Sequence, residues 1–303
     1  METSELLRNI TTLPVIASSL AEEMLAGNFR SIFKGQGMEF DEARHYETGD
    51  DIRSIDWNAS ARFGTPYVKM FREEKEISIL LLIDISPSMR RGNIIFRNIN
   101  PYEQGLISAA LIAFSAEHTG QQVGALFFDR DIAKILPPRR GRRNIMTLIM
   151  TALRYQKKGS TRRDKKGSNL AAAFTGARRL LKRRALVIII SDFFSVNWEQ
   201  EMTSLCRKHD CLAIKINDPP DLGYPGLLTI EDPETGISIE APAGIESFNN
   251  SWLQWHEERS EYWTAVCKRC GASFLELSTA ADASAVLLRF FSSHSRAQYR
   301  DNK

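Results

Sequence analysis

From residue 77 onward the chain alternates short, continuous apolar runs with longer stretches of mixed character. The runs at 77–83, 123–128, 186–190, 211–216 and 273–277 have the length of strands buried on both faces. Between them, apolar residues recur three and four positions apart over 103–117, 143–155, 170–181, 198–208, 251–268 and 282–291, the spacing of helices that bury one stripe. This alternation predicts an α/β fold: a doubly wound, mostly parallel sheet with helices on both faces. One piece interrupts it. Segments 227–231 and 237–240 bracket Asp232-Pro233-Glu234-Thr235-Gly236, which predicts a β-hairpin inserted at about 218–245, after Asp218-Pro219-Pro220. Upstream, Leu6, Leu7, Ile10, Val15, Ile16, Leu20 and Met24 have helical spacing, with Gly27-Asn28 as a stop. The expected organisation is an N-terminal helix and polar segment over 1–75, an α/β domain over 76–295 with its hairpin excursion, and a short tail over 296–303.

Composition narrows the class. Apolar residues at 43% and charged residues at 25% are ordinary for a soluble globular protein. No run approaches the roughly 20 apolar residues that cross a bilayer. The start, Met1-Glu2-Thr3-Ser4-Glu5, lacks the basic and apolar regions of a signal peptide. A cytoplasmic chain is expected, in which Cys206, Cys211, Cys267 and Cys270 are reduced thiols. Cys267-Lys268-Arg269-Cys270 has a zinc or redox spacing, but the Cys206/Cys211 half is not a knuckle spacing, which argues against zinc.

The net charge of +3 conceals an asymmetry. Sixteen of the 40 lysines and arginines, but one of the 37 acidic residues, lie in 139–184, so the rest of the chain is net acidic. Such a block suits either an anionic partner or a set of solvated helix faces with a loop at 157–166. Leu148, Leu153, Leu170, Phe174, Leu180 and Leu181 are interspersed at helical spacing, and no aromatic residue interleaves the loop, which disfavours nucleic acid.

Candidate chemistry sits where the first buried strand ends. Asp84-Ile85-Ser86-Pro87-Ser88 presents a carboxylate and two hydroxyls at alternate positions, oxygen donors of the kind hard divalent cations take. Asp and Ser also populate turns and helix N-caps, so the pentapeptide alone leaves both readings open. Two more segments join it. Gly167-Ser168-Asn169-Leu170 places a hydroxyl before a helix, and Ser191-Asp192 closes a second apolar strand. Asp84 and Asp192 both fall at predicted strand C-termini, where open α/β sheets hold ligands.

These three loops resemble the metal-ion-dependent adhesion site of von Willebrand factor A-like domains, built from D-x-S-x-S, a G-x-T-type loop and an Asp after a later strand. The resemblance implies a ligand set of Asp84, Ser86, Ser88, Ser168 and Asp192 holding Mg²⁺, or Mn²⁺ or Ca²⁺. Ser168 stands where that family more often has Thr, which keeps the hydroxyl and loses a stiffening methyl.

Residues 35–74 are rich in ion-pairing groups, with Arg44, Arg53 and Arg62 as forked donors, Asp50, Asp51, Asp56 and Glu73 as acceptors, and Phe40, Tyr46, Trp57, Phe63, Tyr67 and Phe71 as anchors. They suit either a structural clasp or a docking face. The pattern G-x-G-x-E-F-x-x-x-R-x-Y-x-x-G-D-D-x-R-x-I-D-W-x-x-S-A-R, leading into a strand and D-x-S-x-S, resembles the bacterial domain-of-unknown-function family fifty-eight. Members combine it with a von Willebrand factor A-like domain, and many accompany MoxR-type AAA+ ATPases. The resemblance implies an adaptor, not an enzyme, whose partner supplies an acidic residue.

The expected function is therefore cation-dependent protein binding, with Arg162, Arg163, Lys165 and Lys166 near Ser168 steering an acidic partner, and Arg44, Arg53 and Arg62 as further contacts. No small-molecule substrate is expected. A Mg-dependent hydrolase and a nucleic-acid binder through 139–184 are the alternatives. His45, His118, His209, His256 and His294 are scattered, and no H-E-x-x-H, G-x-S-x-G or P-loop is present.

Overall fold

A computed structural model describes residues 18–21, 38–47, 50–51, 54–73, 77–90, 99–157, 167–218, 227–231, 238–242 and 244–301. Ahead of the main sheet, β1 (Met38–His45) pairs antiparallel with β2 (Tyr67–Glu73) across α1 (Trp57–Phe63). Then follow β3 (Ser78–Asp84), α2 (Pro87–Arg90), α3 (Pro101–His118), β4 (Gln122–Phe128), β5 (Ile132–Arg139), α4 (Arg142–Lys157), α5 (Leu170–Leu180), β6 (Leu186–Ser191), α6 (Glu199–Cys206) and β7 (Asp210–Asn217). The chain continues through β8 (Leu227–Glu231), β9 (Ser238–Pro242), α7 (Glu246–Cys270), β10 (Ser273–Ser278) and α8 (Ala283–Asp301).

The main sheet has six strands in the order β10-β7-β6-β3-β4-β5, all parallel except β5, which runs antiparallel at the edge. Numbered along the sheet, this is the doubly wound order 3-2-1-4-5-6, and the chain reverses direction between β3 and β6. Alternate residues of each strand feed two cores. Ile79, Leu81 and Ile83 of β3 join α3, α4 and α8 on one face, while Leu80 and Leu82 join α5, α6 and α7 on the other. Both faces are covered, which is why the strands read as unbroken apolar runs.

The hairpin forms as expected between β8 and β9, in register from Leu227↔Pro242 to Glu231↔Ser238. Its predicted turn at 232–236 lies outside the described residues, as does most of the predicted N-terminal helix. Of that helix the described stretch 18–21 is helical, and Leu20 is buried in the first core.

Two pieces differ from the sequence reading. Strand β5 was not expected: Ile132–Arg139 carries two prolines and six exposed residues among its eight, so it lacks a buried strand's apolar signature. The segment before the sheet is a second, two-stranded sheet, which polar side chains and bulging at Phe40/Glu42 disguise.

Gly124 shows how closely β5 is held. A Cβ there would stand 2.6 Å from both the Leu136 carbonyl oxygen and the Pro138 nitrogen, which are backbone atoms with no rotamer to yield. Gly124→Ala is expected to cost about 1–3 kcal/mol through displacement of β5, read as a lowered midpoint in urea unfolding. An unchanged midpoint would mean that the edge strand is not seated this way.

Candidate metal centre

Three loops meet at the reversal between β3 and β6. The first leaves β3 at Asp84 and is tied to the neighbouring strand, Ile85 N–H donating to the Phe128 carbonyl at 2.8 Å. The second enters α5 and is tied to the same strand's exit, Asn169 N–H donating to the Asp129 carbonyl at 2.8 Å. The third leaves β6 at Ser191. The end of β4 thus fixes two loops, and parallel pairing of β3 with β6 brings in the third.

Asp84 is the hub. Its Oδ2 accepts from Ser168 Oγ at 3.0 Å and from Ser191 Oγ at 2.7 Å, and its Oδ1 accepts from Ser86 N–H at 2.8 Å. Ser86 and Ser88 hydroxyls lie 3.0 Å apart. Asp84 and Ser86 are fully buried and Asp192 is 6% exposed. Burial, and then the charge of Asp192, push the Asp84 carboxyl up to about 7, against the pull of the Ser86 and Ser191 hydrogen bonds. A fully buried carboxylate facing a second one is costly unless something positive compensates it.

Asp192 is placed by a strained loop. Phe193 adopts φ +56° and Asn197 φ +57°, a region that non-glycine residues occupy at a cost of order 1–3 kcal/mol. Phe193 is held there from several sides. Its N–H donates to Ser191 Oγ at 3.0 Å, its carbonyl accepts from Arg259 Nη2 at 3.3 Å, and its ring packs on Trp198 and Trp263. Asp192 Oδ1 in turn accepts from Phe194 N–H at 3.0 Å.

Of the predicted set, Ser168 and Ser86 contact Asp84 directly, Ser88 contacts Ser86, and Asp192 lies near enough for its charge to act on Asp84. Three residues were not foreseen. Ser191 donates the shorter hydroxyl bond to Asp84. Ser195 Oγ donates to the Ser168 carbonyl at 2.8 Å, clasping the second loop to the third. Arg90 donates to the Ile85 carbonyl at 2.7 Å, pinning the first. Ser191 was visible as Asp192's neighbour, but strand parity aims adjacent residues at opposite faces, so only the exit from β6 brings both to the rim.

The donor set fits a small hard cation: oxygen atoms only, two carboxylates and three hydroxyls, already fixed in place by protein contacts. Among the described residues no three His, Cys, Asp or Glu side chains converge. The four cysteines are free, and burial, then the neighbouring Cys270 and Cys206, push the Cys267 thiol up to about 12.

The other predicted contacts divide. Arg44 pairs with Asp50 at 2.6 Å and with Glu47 at 3.8 Å, so it braces its own loop. Arg62 is exposed on α1. Asp56, expected as an ion-pair partner, caps α1 by accepting from the N–H groups of Asn58 and Ala59. Arg53, Arg162, Arg163, Lys165 and Lys166 lie outside the described residues. Among the described residues the basic block is divided between two faces: α4 packs in the first core and α5 in the second, on opposite sides of the sheet. That placement counts against a continuous nucleic-acid footprint.

No helix among the described residues is long and apolar enough to cross a membrane. The chain is similar to an uncharacterized protein of Mycobacterium tuberculosis, 29% identical over 294 residues that cover 95% of this chain and 89% of that one. Among solved structures, it is similar to an aerotolerance-related membrane protein from Bacteroides fragilis (14% identity, TM-score 0.45, 73% of this chain and 99% of that one). It is also similar to the SpRpn10 VWA domain (12% identity, TM-score 0.39, 71% of this chain and 93% of that one). The family model described as "Protein of unknown function DUF58" matches residues 42–260, and the chain belongs to that family.

Proposed function

We propose that this chain is a cation-dependent protein-interaction adaptor whose site at Asp84, Ser86, Ser88, Ser168 and Asp192 receives an acidic side chain of a partner, with a MoxR-type AAA+ ATPase as that partner. The observation that carries this reading is the 3.0 Å contact between Ser168 and Asp84, which joins residues 84 positions apart in an oxygen-only cluster around a buried carboxylate. A bound Mg²⁺ would supply a Lewis-acidic centre that neutralises the two carboxylates and leaves room for an incoming one. Asp84 and Asp192 contribute charge, and the three serines contribute neutral oxygens. Ser191, Ser195 and Arg90 orient these groups without belonging to the ligand set. The link to a MoxR-type ATPase and to chaperone-like assembly rests on the family resemblance of residues 35–74.

The test is affinity capture of a co-expressed MoxR-type ATPase from the same genome, with Mg²⁺ or with EDTA. Recovery only with Mg²⁺ and intact Asp84 supports the proposal. Recovery that is equal in EDTA, or no recovery under either condition, would overturn the adaptor reading. Ser191→Ala offers a graded check. It removes a donor to Asp84 and the anchor of Phe193 while leaving all five ligands, so Mg²⁺ affinity is expected to fall about tenfold, measured by calorimetric titration. Wild-type affinity in this variant would mean that Ser191 does not orient Asp84.

A further inference from the structure

Strand β5 ends the sheet and pairs with β4 alone among the described strands, and none pairs with its outer edge; at its far end Asn144 Nδ2 donates to the Arg139 carbonyl at 3.1 Å. Pro137 and Pro138 blunt its second half, and bulged pairing interrupts it at both ends, so the open stretch is 132–136. A groove of about 770 Å³ runs beside this stretch, lined by Ile132, Ile135, Ala172, Thr175, Gly176 and Arg179. Ile132 and Ile135 are 36% and 38% exposed, unusual for isoleucines on a sheet. Gly176 lets α5 lie close to this stretch: a Cβ there would press on the Ile132 Cδ1 methyl.

Charge selects the occupant. Arg130, Lys134 and Arg139 are exposed along and beside the strand, and Arg179 is exposed on the groove wall. Of the two acids lining the groove, Asp131 and Glu201, the latter is engaged by Arg178 at 3.1 Å. A second copy of this chain would bring the same cations edge to edge and be repelled. No aromatic side chain lines the groove on which a nucleic-acid base would stack.

We infer that the β5 edge and its groove bind an extended segment of another protein, alternating acidic and apolar residues, by strand addition. Backbone pairing along 132–136 supplies affinity. Ile132 and Ile135, in register with Phe128 and Leu126, receive the apolar side chains on the α5 face, where Arg179 attracts the flanking acidic chain. Lys134, in register with Phe127, meets acidic side chains on the opposite face. The groove opens at Asn169, the residue after Ser168, so this surface borders the candidate metal centre without using it. It stands independently of the cation reading.

The probe is a short fluorescent peptide of alternating glutamate and valine, compared with a lysine–valine peptide and with oligothymidylate. Binding is followed by anisotropy, and hydrogen exchange of the 132–136 amides locates it. The expected result is selective binding of the acidic peptide with slowed exchange at 132–136. Ile135→Glu and the double variant Lys134→Glu/Arg179→Glu should each weaken it at least about tenfold. Circular dichroism confirms that both variants are folded, and peptide affinity should be equal in Mg²⁺ and in EDTA. Absent binding, wild-type affinity in both groove variants, tighter binding of oligothymidylate, or a concentration-dependent dimer that protects the same amides would overturn the assignment.

Discussion

Asp84→Asn is expected to make the cation-free protein more stable and to abolish its affinity for divalent cations. The first effect follows from burial. The Asp84 carboxyl ordinarily ionises near 3.8 and is pushed to about 7 in the folded chain, by desolvation first and by Asp192 second. The folded state therefore holds this proton more tightly than the unfolded state does. Its contribution is most favourable below pH 4, is lost as the pH rises toward 7, and is flat above that. Three pH units correspond to a penalty on the order of 4 kcal/mol at neutral pH. An amide removes the charge and keeps the shape. Asn Oδ1 can still accept from Ser86 N–H, and the Ser168 and Ser191 hydroxyls can rotate to accept from the new amide nitrogen. The variant should gain on the order of 2 kcal/mol over wild type at pH 8, with the gain vanishing near pH 4. Urea unfolding at the two pH values, with EDTA present, reads the difference. A variant less stable than wild type at pH 8 would show that the carboxylate is not a stability liability.

The second large effect is on cation affinity against pH. Below about 7 the cluster holds a proton that any bound cation must displace, so Mg²⁺ affinity should fall about tenfold per pH unit there and level off above. Between pH 7.5 and 5.5 the expected loss is roughly 20–30-fold, accompanied by uptake of the released proton by buffer and hence a buffer-dependent calorimetric enthalpy. Two ordinary, solvated carboxylates would titrate near 4 and show almost no change over this range. A flat profile with no proton release would mean that Asp84 is ionised before the cation arrives, contrary to its burial beside Asp192.

The sheet was legible because its strands are covered on both faces. Unbroken apolar runs such as 186–190 can be little else between amphipathic helices, and strand ends then follow from where the runs stop. The candidate site's place was legible for the same reason: Asp84 and Asp192 stand where two such runs end, at the reversal of strand order. What escaped notice has physical causes. Strand β5 is exposed and carries prolines, so nothing in its composition separates it from a loop. In the segment before the sheet, Arg44 and Asp50 brace a local turn and Asp56 caps a helix, roles that charge alone does not distinguish from longer-range pairing. Ser191 and Ser195 are ordinary hydroxyls whose roles depend on which atoms face them. Opposition of α4 and α5 across the sheet is a topological fact, invisible in a count of their shared positive charge.

The proposed function turns on whether the Asp84 cluster binds a cation. Calorimetric titration of Mg²⁺ and Mn²⁺ into metal-stripped protein at pH 7.5, with wild type beside Asp84→Asn and Asp192→Asn, measures that directly. One site per chain in wild type, absent in both variants, is the predicted result. Heat no different from buffer dilution in wild type, or equal binding in all three proteins, would contradict it.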